Sequence, residues 1–288
     1  MQYRTLGRTG AELSVIGFGG IVVMGMEQPE ANRTVASVVE RGVTYFDVAP
    51  SYGNGEAEEK LGPALEPHRK GVFLACKTGR RDAEGARFEL EQSLRRLRTA
   101  HLDLYQLHAM TTTEDVERVF APGGAMEVFV KAREEGKTRF LGFSAHSVTA
   151  AVALLERFPF DSVLFPFNFA TFLEGDFGPQ VVEAAQKAGA GCLALKGMAR
   201  TKWPEGLGRD QRAWSKCWYE PITDPSLAEL ALRFTLSLPI TAAVPPGHAE
   251  LWELAHRVAA DPQPLSPEEE SRLRATASQT EPLFRHVA

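Results

Sequence analysis

An α/β fold of the (β/α)8 TIM-barrel class, with an N-terminal β-hairpin and an extra C-terminal helix, is what this 288-residue sequence predicts. Three observations carry the reading. Short, almost continuous apolar runs alternate with segments whose apolar residues recur at helical spacing, and strands apolar on both faces belong to parallel sheets covered on the outside. Eight such pairs follow one another, which at this length suits a closed barrel better than an open sheet. No repeat, low-complexity tract or linker divides the chain, so residues 1–288 read as one domain.

The elements follow in order. YRTLGRTGAELSV reads as a hairpin, with Gly-Arg-Thr-Gly as its turn. LSVIGFG is the first barrel strand, and EANRTVASVVERG is its helix with a glycine stop. VTYFDVA leads to EAEEKLGPAL, GVFLACK to FELEQSLRRLR, and LDLYQLH to VFAPGGAMEVFVKAREEGK. RFLGFS precedes VTAAVALLERF, and DSVLFPF precedes PQVVEAAQKAG. GCLALK leads to SLAELALRFTL, and ITAAVP to HAELWELAHRVAA. SPEEESRLRATASQ is the extra helix, because Ser266 is a good N-cap and acids fill the first turn. Residues 197–224 carry no strand or helix pattern and read as a lid or binding loop, with Trp203, Trp214, Trp218 and Tyr219 to fold over a ligand or cover the barrel rim.

Composition narrows the function classes. Net charge is −5, and no basic cluster of the kind that tracks a phosphate backbone stands out, which argues against nucleic acid. No apolar stretch is long enough to span a bilayer, and MQYRTLGRTG lacks the apolar core of a signal peptide, so a cytoplasmic location is expected. The three cysteines lie far apart with no C-x-x-C, which disfavours disulfides and structural zinc. GFGGIV after the first strand has Gly17 and Gly19 at dinucleotide-fingerprint spacing, but Val22 stands at the third glycine position and no acid ends the next strand in the required place. A tight barrel turn is the better reading.

Barrels of this class do their chemistry at the carboxyl ends of the strands. Those positions hold Asp47 with Tyr52 just beyond, Lys77, His108, Ser144 with His146, Asn168 and Lys196. Singly, each has an ordinary explanation: a turn cap, a packing ring, a solvated lysine or a satisfied histidine. Gathered at one rim, they form a set. A tyrosine with its usual pKa of about 10 is a weak proton donor at neutral pH, and a nearby ammonium lowers that value by favouring the phenolate. Lys77 is placed to supply the charge, Asp47 to hold Lys77 protonated, and His108 to share a proton and bond a substrate oxygen. The set suits donation of a proton to an oxygen that is becoming an alkoxide, the need of carbonyl reduction by a nicotinamide hydride.

FDVAPSYGNGEAEEKLGPAL, LACKTG and LDLYQLH together resemble the signature of the aldo-keto reductase family over essentially the whole chain. LGFSAH and LFPFNF look like a bacterial subgroup of predicted oxidoreductases within it. The resemblance implies a barrel that reduces an aldehyde or ketone with NADPH, NADH being possible, and without metal. It makes Tyr52 the general acid and Asp47, Lys77 and His108 its partners. It places cofactor contacts at Gly19, Gly20, Ser144, His146, Asn168, Lys196, Gly197, Arg200, Gly247 and His248. It implies a monomer or weak homo-oligomer acting on a small carbonyl substrate.

The second half departs from the family pattern. Ala145 follows Ser144 where an asparagine is common, and Asn168 stands near a usual glutamine. Some members of the subgroup carry iron–sulfur cysteines; this chain has no such cluster of cysteines, and none is expected to be bound. Ala249 and Glu250 occupy places where a basic residue would meet the 2′-phosphate of NADP, and Glu250 suits a ribose hydroxyl of NAD instead. Arg200 and Lys202 are the alternative source of charge. Two other functions stay open: a cofactor-sensing, non-catalytic subunit, and a metal-dependent hydrolase or isomerase built on Asp47, His108 and His146. The latter has no H-x-H or H-x-x-x-H pair.

Overall fold

The computed structural model of the protein describes residues 1–286. Strands β1 (Tyr3–Thr5) and β2 (Glu12–Ser14) pair antiparallel as the expected hairpin, with Gly7 and Gly10 at φ +48° and +70° making its turn. The barrel is built from β3 (Phe18–Gly19), β4 (Tyr45–Asp47), β5 (Phe73–Thr78), β6 (Leu102–Met110), β7 (Thr138–Ala145), β8 (Ser162–Pro166) and β9 (Gly191–Leu195). A ribbon of β10 (Ala199–Lys202) and β11 (Tyr219–Pro221) intervenes before the eighth barrel strand, β12 (Ala242–Val244). All eight barrel strands run parallel in sequence order. A parallel bridge from Ile16 to Ala243 brings the ends together, with Ala243 N–H donating to the Val15 carbonyl at 2.9 Å and Gly17 N–H to the Ala243 carbonyl at 2.9 Å.

Helices cover the outside: α1 (Gln28–Glu40) after β3, α2 (Glu56–Leu65) after β4, α3 (Ala83–Arg96) after β5, and α4 (Thr113–Phe120) with α5 (Ala125–Glu134) after β6. Next come α6 (Val148–Arg157), the short α7 (Phe169–Leu173), α8 (Pro179–Ala188), α9 (Pro225–Ser237), α10 (Ala249–Ala260) and α11 (Pro267–Ser278). Two layers of packing result. Leu13, Tyr45, Phe73, Leu104, Leu164 and Leu193 fill the barrel interior, and a larger apolar layer lies between strands and helices. Leu6 is fully buried among the interior residues, so the hairpin stoppers the amino end of the barrel. Arg8 fastens it by donating to the carbonyls of Ala188 at 2.6 Å and Pro159 at 2.7 Å, and Arg4 by donating to that of Ile240 at 2.8 Å.

The C-terminal helix begins as its sequence requires: Ser266 and Glu269 form a reciprocal capping box. Two expectations are corrected. The single helix expected after β6 is two, because Ala121-Pro122-Gly123-Gly124 interrupts it and Thr112 caps a separate α4. The supposedly patternless stretch 197–224 contains β10 and β11, which pair only with each other and are too short and polar to show an alternation.

Candidate active site

The tyrosine loop is shaped by its glycines. Tyr52 opens a tight turn in which Gly53, Asn54 and Gly55 all have positive φ, before α2 begins at Glu56. Gly55, at φ +100°, lies against the Arg96 guanidinium, and Arg96 reaches past it to the fully buried Glu58 at 3.2 Å. Cys76 Sγ also contacts Glu58 Oε1, at 3.3 Å. Gly55→Ala puts a methyl group where the guanidinium sits and forces an L-residue into a glycine conformation. The variant is expected to lose roughly 1–3 kcal/mol of stability and to lower kcat with it, because the same turn carries Tyr52; urea unfolding and steady-state kinetics check both.

Asp47 ends β4, Lys77 lies near the end of β5 and His108 near the end of β6. Asp47 and Lys77 form a buried ion pair. Lys77 Nζ donates further to the Val48 carbonyl at 3.2 Å. The other carboxylate oxygen of Asp47 accepts from the Tyr45 hydroxyl and from Gln106 Nε2, each at 3.1 Å. Lys77 Nζ sits 5.6 Å from the centre of the Tyr52 ring, and the His108 ring meets that ring edge-on at 6.0 Å. The four residues are thus one cluster.

Its electrostatics differ from the expectation in one respect. Burial pushes the Tyr52 hydroxyl above its ordinary value; Lys77 pulls it back down but does not overcome burial, and Asp47 adds to the rise. Tyr52 is therefore held as the neutral acid. Burial also opposes the Lys77 ammonium, yet Asp47 and Tyr52 outweigh it and its pKa is raised. His108 is pushed down to about 3 by burial and by the nearby charges of Lys77, Arg81 and Lys196, so it works as a neutral imidazole.

His146 goes down to about 2 for the same reasons, burial first and then Lys196 and His108. The unfolded chain binds protons on both imidazoles below about pH 6.5, whereas the folded chain does not until about 3 and 2. Stability is therefore expected to fall as pH drops below 6.5, by on the order of 1 kcal/mol per pH unit for each histidine. Urea midpoints at pH 7 and 5 measure this; equal midpoints would mean that the folded state protonates these rings.

The cofactor candidates divide. Gly19, Lys196 and Gly247 line a cavity of about 130 Å³ with Asp47, Tyr52, Lys216, Trp218 and Tyr219. Trp218 covers Lys196, with Nζ 4.7 Å from its ring centre. His248 caps no amide with its side chain; its Nε2 accepts from the Lys216 N–H at 3.1 Å, and Trp214 packs edge-on against it. Lys216 Nζ in turn donates to the Val22 carbonyl at 2.7 Å, so residues 216–219 lie as a strap across the cavity. The other candidates face other work. Gly20 packs against Val48 and Leu61, and Gly197 against Thr235. Ser144 Oγ accepts from the Ala109 N–H at 2.8 Å. Asn168 is buried with its oxygen capping α7 and its nitrogen donating to the carbonyls of Lys196 and Ala199, so no polar atom of its amide is left for a nicotinamide. Arg200 lies beside Glu220 at 3.5 Å and lines a separate groove with Asp224 and Arg272. Phe167 and Phe169 are in the core and do not line the cavity.

Sequence reasoning missed Tyr45 and Gln106, which complete the shell of Asp47. A signal existed: residues two apart on a strand share a face, so Tyr45 with Asp47 and Gln106 with His108 were due to point into the barrel together. Phe284, which stacks on His146 at 5.6 Å, had no such signal, since nothing local ties the C-terminal segment to the rim. A metal centre on Asp47, His108 and His146 has no support: Asp47 is taken by Lys77, Tyr45 and Gln106, and among the described residues no three His, Cys, Asp or Glu gather to hold an ion. No helix among those residues is long and apolar enough to cross a membrane.

The parallel eight-stranded barrel carries this cluster at the carboxyl ends of its strands. Residues 15–277 match the model of the Aldo/keto reductase family, and the chain belongs to that family. It is 25% identical to the uncharacterized oxidoreductase YqkF of Bacillus subtilis, with 97% of each chain covered. It is 31% identical to the aldo-keto reductase YhdN of the same organism, over 58% of this chain and 54% of that one. The solved structure of the aldo-keto reductase AKR11C1 from Bacillus halodurans, in its holo form, superposes with a TM-score of 0.73 at 23% identity, covering 96% of both chains. The protein is accordingly an NAD(P)H-dependent oxidoreductase of the carbonyl-reductase type.

Proposed function

We propose that the protein reduces an aldehyde or ketone to an alcohol with Tyr52 as proton donor. The observation that carries this is the Tyr52–Lys77–Asp47 cluster, of which Tyr52 and Asp47 line the cavity: an acid kept neutral by burial beside the buried Lys77 cation. As the carbonyl oxygen gains negative charge, Tyr52 gives up its proton and Lys77 stabilises the phenolate left behind. Asp47, fixed by Tyr45 and Gln106, keeps Lys77 protonated and in place. Neutral His108 lies against the Tyr52 ring and orients the substrate oxygen. When bound, the reduced nicotinamide supplies the hydride.

The residues fit such a cofactor. Gly19 and Gly247 line the cavity beside Tyr52 without side chains of their own, and Lys216 supplies positive charge. NADPH is the proposed form. Lys216 is seated beside the amino terminus of α10, whose first amides no side chain caps, and the two together suit a 2′-phosphate. A cavity of about 130 Å³ is smaller than the roughly 300–1,000 Å³ of typical ligand sites, so the strap must lift from Val22 and His248 to admit a dinucleotide.

The test is oxidation of NADPH and, separately, NADH with a panel of aldehydes and ketones. Turnover with NADPH supports the reading. Tight binding of a cofactor without turnover of any carbonyl would favour a sensing subunit instead, and no binding at all would sink both.

A further inference from the structure

Lys196 reaches the cavity without a part in the reduction chemistry. It sits just beyond β9 with its backbone in the left-handed region at φ +65°, a conformation that L-residues rarely adopt without being held there. It is held: Asn168 Nδ2 donates to the Lys196 carbonyl at 3.2 Å, and Ala199 N–H to the same oxygen at 2.9 Å. The bend delivers the side chain to the cavity that Tyr52 lines, where only 5% of the residue is exposed.

Its surroundings are those of a cation waiting for an anion. Nζ lies within hydrogen-bond distance, 2.7 Å, of Nε2 of His146, a neutral ring, and faces the rings of Trp218 at 4.7 Å and Phe284 at 5.6 Å. Among the described residues no carboxylate comes within ion-pair distance of it. Lys77 is already balanced by Asp47, and Lys216 in the same cavity is spent on the Val22 carbonyl and only half-buried, so Lys196 is the deeply buried lysine there that lacks a carboxylate. A buried ammonium without a counter-ion is costly, and a bound carboxylate removes that cost. Burial alone pushes the amine well below its usual range, which agrees with a site lacking its anionic partner.

We propose that Lys196, presented by Asn168 and backed by His146, selects carbonyl substrates that also carry a carboxylate. The proposal rests on the reductase reading above. The aromatic walls of Trp218 and Phe284 exclude water from the contact, so a single charge-assisted hydrogen bond there discriminates strongly between a carboxylate and a neutral group of the same shape.

Two aldehydes of matched shape test it: 4-formylbenzoate and 4-formylbenzamide, with NADPH, on the wild type and Lys196→Met. The wild type is expected to favour the acid in kcat/KM by roughly tenfold to a hundredfold, and the variant to lose most of that preference. A wild type with no preference, or a ratio unchanged in the variant, overturns the proposal. So does a variant that binds NADPH more weakly and slows both aldehydes alike, which would make Lys196 a ligand of a cofactor phosphate. Calorimetry of benzoate against benzamide, on wild type saturated with NADP+, needs neither turnover nor a folded variant. Tighter binding of benzoate supports the anion site even where neither aldehyde is reduced, and equal affinities overturn it.

Discussion

Tyr52→Phe is expected to lower kcat by roughly 10²–10⁴-fold while the Kd of the cofactor stays nearly unchanged. The substitution removes one hydroxyl and leaves the ring, so the edge-on contact with His108 and the face offered to Lys77 survive. What disappears is the only acid in the cluster held neutral beside the cavity. Asp47 is committed to its ion pair, and His108, with its pKa near 3, carries no proton to spare at pH 7 beyond that of its neutral ring. Stopped-flow measurement of hydride transfer, with cofactor affinity by fluorescence titration, separates the two effects. A variant that retains wild-type kcat would move the proton donor to another residue. One that loses cofactor affinity in proportion would make the hydroxyl a binding group instead.

Lys77→Met is expected to destabilise the protein by roughly 3–5 kcal/mol as well as to abolish turnover. The methionine fills the volume, but Asp47 is left as a buried carboxylate with hydrogen bonds from Tyr45 and Gln106 and no counter-charge. Removing both charges, as Asp47→Asn with Lys77→Met, is expected to recover most of the lost stability and none of the activity. That split is what distinguishes a pair retained for chemistry from one retained for the fold. Urea unfolding of the single and double variants reads it, and a double variant no more stable than the single would show that the damage is to packing.

The strand-end residues were legible because a (β/α)8 pattern fixes where strands end, and Asp47, Lys77 and His108 close three strands of plain apolar composition. The pattern says nothing of what a polar residue at such an end bonds to. Asn168 and Ser144 stand at equivalent positions and serve backbone amides and carbonyls, since a buried polar atom takes whatever partner the local turn offers. The direction of the Tyr52 shift was missed because burial, the larger effect, is set by residues brought together around the cavity from distant parts of the chain, Tyr219 among them. The ribbon of β10 and β11 escaped because strands of four and three residues show too short an alternation to read, although Ala199 and Tyr219 are buried against Leu283.

The hairpin at the amino end of the barrel carries a consequence for synthesis. Its contacts are with chain made much later: Arg8 with Pro159, 151 residues on, and Arg4 with Ile240, 236 residues on. The hairpin is thus made well before the segments it fastens to, and its contacts can close only after those segments have been translated. Docking of the hairpin reports that the ring has closed, so the order in which the chain is made and the order in which it is fastened run opposite ways.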